Sequence, residues 1–146
     1  MALVLFRLAQ ATRRRLGRRH PLALATALLH HAFATAVVGF ELPVSVAVGP
    51  GLTIWHGFGI VVNSGSTLGA NVALRHGVTI GDDGRRPGCP VIEDGVEIGT
   101  GATVLGAIRV GANARIGAHA LVLDDVPANG RARAPRAEID SPRSAE

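Results

Sequence analysis

Aromatic side chains are nearly missing from this 146-residue chain, which has four Phe, one Trp and no Tyr. That excludes the common mode of single-stranded nucleic-acid binding, in which bases stack on aromatic rings. Lysine is absent too, and all 15 basic residues are arginines. They are unevenly placed. Residues 1–40 hold six Arg and no acid, whereas residues 41–127 hold five Arg against eight acids. The formal net charge of +4 therefore reflects an Arg-rich start rather than a basic body, and no nucleic-acid partner is expected. Cys89 is the only cysteine, so an intrachain disulfide and a multi-cysteine zinc site are both excluded. No His or Cys spacing suggests a metal site, and none is expected. A lone cysteine suits a reducing compartment, so the expected location is cytoplasmic.

What the chain does contain is small and aliphatic. Its hydrophobic fraction is 47%, too high for a disordered segment, and glycine occurs 19 times. A core of Val, Ile, Leu, Ala and Gly has to be built from thin repeated layers. The periodicity agrees. Ile92, Ile98, Val104, Val110, Ile116 and Val122 fall six residues apart, as do Val62, Leu68, Leu74 and Ile80, and likewise Leu42, Val48 and Ile54. A step of six fits neither an amphipathic helix nor an alternating strand. It is the step of a hexapeptide β-helix, with one aliphatic per hexad pointing inward and glycines at the turns.

Two breaks in the step mark candidate functional positions. The gap from Ile54 to Val62 is eight residues and contains His56-Gly57-Phe58-Gly59. The gap from Ile80 to Ile92 is twelve, and residues 82–90 read as a loop thrown out of the solenoid. The expected organisation is an N-terminal helical segment at 1–40, a β-helix at 41–127 with its loop at 82–90, and a tail at 128–146. In the first segment, Leu22, Leu24, Ala25, Leu28, Leu29, Ala32 and Phe33 fit a helical stripe. That helix packs against the domain or a neighbouring subunit, or rests on a membrane, where the arginines would favour anionic lipid at its inner face.

Three runs carry a family resemblance: Gly51-Leu52-Thr53-Ile54-Trp55-His56-Gly57, Arg75-His76-Gly77-Val78-Thr79-Ile80-Gly81 and Val91-Ile92-Glu93-Asp94-Gly95-Val96-Glu97-Ile98-Gly99. With Leu121-Val122-Leu123-Asp124-Asp125-Val126-Pro127, they resemble the hexapeptide-repeat serine O-acetyltransferase superfamily across residues 40–127. Within it, the chain most resembles the colanic-acid-biosynthesis acetyltransferase branch, which shares the R-H-G-V-T-I-G and C-P elements. The resemblance implies a mainly β fold, a left-handed parallel β-helix with a short helical start. It also implies acetyl-CoA as donor, no metal, and homotrimers with active sites between subunits. It makes His56 the general base and Glu41, fifteen residues earlier, the carboxylate that orients it. Gly81, Thr100, Gly101, Arg115 and Ala118 are the implied donor-binding positions.

The departures bear on the acceptor. Trp55 stands where serine acetyltransferases carry Asp, and Gly88-Cys89 replace the Arg-His pair that holds the serine carboxylate. Trp55, His76 and Cys89 are then candidate acceptor contacts, and a sugar hydroxyl on a glycan or glycosylated small molecule is the expected target. In the tail, Ala134-Pro135-Arg136-Ala137-Glu138 replaces the family's basic ending. Contact with the CoA phosphates falls to Arg136, with Arg131 or Arg133 as alternatives, or CoA binding is weaker. The competing readings are a serine O-acetyltransferase and a catalytically silent scaffold subunit.

Overall fold

A computed structural model describes residues 1–85 and 87–138. From Val48 onward each aliphatic of the six-residue step lies in a strand of two or three residues, and three strands complete one coil of a parallel β-helix. The first coil contains β1 (Ala47–Val48), β2 (Thr53–Trp55) and β3 (Val61–Val62). The second contains β4 (Thr67–Leu68), β5 (Ala73–Arg75) and β6 (Thr79–Gly81). The third contains β7 (Val91–Ile92), β8 (Glu97–Ile98) and β9 (Thr103–Leu105). The fourth contains β10 (Arg109–Val110), β11 (Arg115–Ile116) and β12 (Leu121–Val122), and β13 (Arg131–Ala132) follows. The three sides of the prism are the sheets β1-β4-β7-β10, β2-β5-β8-β11-β13 and β3-β6-β9-β12.

Parallel pairing in register stacks like residues on like. Leu74 pairs with Ile54 on one side and Ile98 on the other; Ile80 lies between Val62 and Val104 in the same way. Coils follow one another at the strand spacing of about 4.8 Å, close to the thickness of one branched aliphatic side chain. This spacing explains the scarcity of rings in the solenoid. The spacing of the sequence predicts one inward residue per hexad, but the structure buries two. Val46, Ile60, Val72, Val78, Val96, Ala102 and Ala114, each two positions before a strand aliphatic, are all at most 1% exposed. The chain turns so tightly that residues on both sides of one outward side chain face the axis.

The corner between the first and second sides needs left-handed backbone once per coil. Gly51, Asn71, Gly95, Asn113 and Asn129 supply it with φ between 55° and 77°. Asn shares the position with Gly because its short side chain tolerates that conformation. Elsewhere the constraint is closeness rather than φ. A Cβ at Gly99 would lie 2.6 Å from the Ala118 backbone nitrogen and 2.8 Å from the Gly117 carbonyl carbon. Gly99→Ala is therefore expected to force the third and fourth coils apart and cost about 1–3 kcal/mol, as overpacking typically does. A fall in the denaturation midpoint checks this.

Residues 82–85 and 87–90 leave and rejoin the prism at one corner without disturbing the stack, since Leu68 still pairs with Ile92 and Ile80 with Val104. Asp82 accepts from Asn63 Nδ2 at 2.9 Å and from the Gly84 N–H at 3.2 Å. The loop returns beside Gly65, where an added Cβ would lie 3.0 Å from Cys89 Sγ. Farther along the solenoid, Glu93 ties adjacent coils together, accepting from Arg109 Nη1 at 2.5 Å and from the Ala112 N–H at 2.8 Å. The Arg109 bond, then that to Ala112, holds the Glu93 carboxyl below the usual range.

Two helices cover the open end of the first coil. α1 (Ala2–Leu16) places Arg7 Nη1 2.8 Å from the Val48 carbonyl, with Nη2 on Gly49, and Gln10 Nε2 2.9 Å from Val46. Those carbonyls belong to a sheet edge, so the helix closes a row of acceptors that would otherwise invite pairing with another chain. Partial burial, then the charge of Arg14, lowers the pKa of Arg7. α2 (Pro21–Phe33) starts with proline at its first turn and packs back on α1. A π-helical turn, Ala34–Val38, ends it at Gly39, whose φ is 77°.

The leucine stripe of α2 does not face the domain as a packed helix would require. Leu22, Leu24, Leu28 and Leu29 are 51–69% exposed, while Ala23, His30 and Ala34 form the inner face. His30 is buried, with Nε2 2.9 Å from the Leu42 carbonyl and its ring between Phe6 and Phe40. Small residues and one bonded histidine let α2 lie close, and the leucines remain outside.

Candidate active site

The corner between the second and third sides collects most of the candidate residues. Here the backbone N–H of one coil donates to the carbonyl of the coil before: Gly77 to Phe58 at 2.9 Å, Gly101 to His76 at 3.0 Å, and His119 to Thr100 at 2.8 Å. Phe58, His76, Thr100 and Ala118 are therefore equivalent positions in successive coils. Trp55 pairs with Arg75 just before the corner. Between Trp55 and Phe58 stand His56 and Gly57, with no counterpart between Arg75 and His76. The extra pair that lengthens the first step to eight is thus His56-Gly57.

This bulge lifts His56 out of the corner column, with φ 54° and its side chain exposed. Its ring stands 6.3 Å from that of His76, nearly perpendicular at 76°. Gly57 faces inward; a Cβ there would approach Ile54 to 3.2 Å and Phe40 to 3.3 Å. From the other side, the Gly59 N–H donates to the Gly39 carbonyl at 2.7 Å. The segment leaving α2 therefore braces the bulge that presents His56.

Glu41 extends the third side as an extra rung beside Val61: its N–H donates to Ile60 at 2.7 Å and its carbonyl accepts from Val62 at 2.9 Å. Its side chain is exposed in a cleft with Asn63, Thr79 and Asp82. Within the chain, Glu41 and His56 form no hydrogen bond or ion pair among the described residues.

A trough of about 710 Å³ runs along the second side, from Trp55 and Arg75 past Thr100 to Arg115 and Ala118. Gly99 and Gly117 line it, and Arg115 lies 3.5 Å from Glu97 on the adjacent strand. Trp55 is 54% exposed at one end. Gly101 continues the same corner column with φ 64°. Gly81, buried at the end of β6, lies outside the trough and lines the cleft that holds Glu41, and half-buried Cys89 lies at the corner where the loop returns. Arg136 is exposed beyond β13.

One chain thus joins Trp55, His56, His76, Thr100, Gly101 and Ala118 along one corner, and separates them from Gly81 and Cys89. No group of three or more His, Cys, Asp or Glu able to hold a metal occurs among the described residues. Two neighbours of the site escaped the sequence reading, Arg75 and Phe58. The six-residue step contained the signal for Arg75, because it follows Leu74 as Trp55 follows Ile54. Phe58 could be placed only once the extra pair was known.

The model for the bacterial transferase hexapeptide (six repeats) matches residues 89–124. A serine acetyltransferase of Helicobacter pylori (strain J99) is 40% identical over 133 residues, 90% of this chain and 74% of that protein. The chain belongs to the hexapeptide-repeat acetyltransferases. An Escherichia coli (strain K12) protein, WcaB, named for colanic acid biosynthesis, is 36% identical over 103 residues, 70% of this chain and 64% of its own length. A serine acetyltransferase solved in complex with CoA superposes with a TM-score of 0.74 at 30% identity, covering 91% of this chain and 52% of that one. Both branches that the sequence resembles are represented. This hexapeptide-repeat acetyltransferase spans about half the length of that solved relative.

Proposed function

We propose that the chain transfers an acetyl group from acetyl-CoA to a hydroxyl of a sugar, glycan or glycosylated small molecule. His56 is the general base. The observation that carries this reading is the two-residue bulge, which holds an imidazole out of an otherwise regular corner between an exposed indole and a second imidazole. The trough suits the donor: its glycine and alanine lining admits close approach to backbone groups, and Arg115 offers positive charge beside it. Acetyl-CoA supplies an activated thioester that the acceptor oxygen attacks directly, with the CoA thiolate leaving, so no enzyme nucleophile is required.

The chain's own groups have two tasks. The neutral His56 ring accepts the proton of the acceptor hydroxyl as that oxygen attacks, and a nearby carboxylate stabilises the imidazolium. Trp55 offers an apolar face against which a sugar ring lies. Glu41 is the proposed carboxylate, offered on an exposed side chain. The assembly is a homotrimer in which a neighbouring copy brings its loop corner, with Gly81 and Cys89, opposite His56. Separation of the two candidate groups within one chain supports a site completed by a second copy.

Serine acetylation remains the second reading, favoured by the 40% identity to the Helicobacter pylori protein and by Arg75, a guanidinium beside Trp55 able to hold a carboxylate. Thiol release from acetyl-CoA, measured with glycoside acceptors and with serine, separates the two. Release with glycosides at least about tenfold above that with serine, the discrimination expected where a charged handle is missing, supports the first reading. Preference for serine overturns it.

A further inference from the structure

We propose that the helical hairpin is a docking surface for an anionic phospholipid bilayer and holds the enzyme at the membrane. This inference does not depend on the identity of the acceptor. Pro21–Val38 is long and apolar enough to cross a membrane, yet only 17% of it is buried. The outer face of α2 carries Leu22, Leu24, Leu28 and Leu29, all more than half exposed, and no charged residue. A helix that is apolar on every side belongs in a protein core or in lipid. Here only the inner side is covered.

Spanning the bilayer is excluded by what the inner side touches. His30 bonds the Leu42 carbonyl at 2.9 Å and lies against Phe6 and Phe40, so α2 is fixed along the end of the β-helix. The helix can lie on a membrane but cannot pass through it. Charge identifies the occupant. The end of α1 and the turn into α2 present Arg13, Arg14, Arg15, Arg18 and Arg19, none with an ion pair or side-chain hydrogen bond among the described residues. No acid occurs before Glu41, while residues 41–127 hold more acids than arginines. The molecule is thus basic at its apolar end and acidic along its body. A second copy of the hairpin would bring like charge to like with no carboxylate to oppose it. Anionic headgroups provide the missing charge, and the acyl boundary takes the leucines.

Flotation of the full-length chain with vesicles tests this. On phosphatidylcholine containing about 30 mol % phosphatidylglycerol, the bound fraction should exceed that on pure phosphatidylcholine by at least about tenfold. It should fall to the neutral-vesicle level in about 0.5 M salt. Arg14→Gln/Arg15→Gln/Arg18→Gln/Arg19→Gln and, separately, Leu24→Ser/Leu28→Ser should each reduce binding about tenfold or more, with unchanged CoA binding and thermal midpoint. Equal binding to both vesicles, or binding to neither, overturns the proposal. So does a Leu24→Ser/Leu28→Ser variant that floats normally but sediments as a smaller species, because the leucines would then cover another copy of the chain.

Discussion

His56→Asn is expected to lower kcat by about 10²–10⁴-fold, the usual contribution of a positioned general base. The choice of replacement follows from the backbone. His56 sits at φ 54°, where an alanine would meet the left-handed penalty of about 1–2 kcal/mol and confuse a catalytic defect with a folding one. Asparagine tolerates that conformation and cannot take the proton. CoA affinity, measured by calorimetry, should be unchanged because the trough lies along Arg75, Thr100 and Arg115 rather than on the bulge. The defect should therefore fall on kcat rather than on donor binding. Wild-type turnover in this variant would remove His56 from the chemistry.

Leu74→Ala carries the largest expected effect on stability. Leu74 is fully buried between Ile54 and Ile98, in the middle of a column that runs directly beneath the corner carrying His56 and His76. Its neighbours belong to rigid, hydrogen-bonded coils that cannot collapse into the space left behind. The loss should lie near the upper part of the about 2–5 kcal/mol range for such truncations, against a total of about 5–15 kcal/mol for a typical domain. Val4→Ala, at a site 66% exposed, should change stability by less than about 0.5 kcal/mol. Equilibrium denaturation compares the two, and a Leu74→Ala loss no greater than that of Val4→Ala would contradict the layered core.

The repeated layers were legible in the sequence because each coil asks the same thing of the same position. Val62, Leu68, Leu74 and Ile80 are aliphatic at a fixed step for that reason. The second inward position was harder to read, since a tight corner accepts Ser66 or Ala102 as readily as Val72. The length of the break near His56 was legible, but the identity of the extra pair was not. It emerges only from the strand register that aligns Trp55 with Arg75 and from the corner bond that aligns Phe58 with His76. An offset of fifteen residues put Glu41 in a family position and could not say where its side chain points. The face of α2 was illegible for a different reason: an almost wholly apolar helix has no polar side to mark the outside.

Acetyl transfer itself is the most direct test of the central claim. Purified full-length protein, acetyl-CoA and a panel of glycosides should release free CoA, and mass spectrometry should find one acetyl group gained by the acceptor for each CoA released. The His56→Asn protein should bind CoA and do neither. Binding of CoA by the wild-type chain with no acetylated product from glycosides or serine would contradict the account and leave a solenoid that holds the donor without using it.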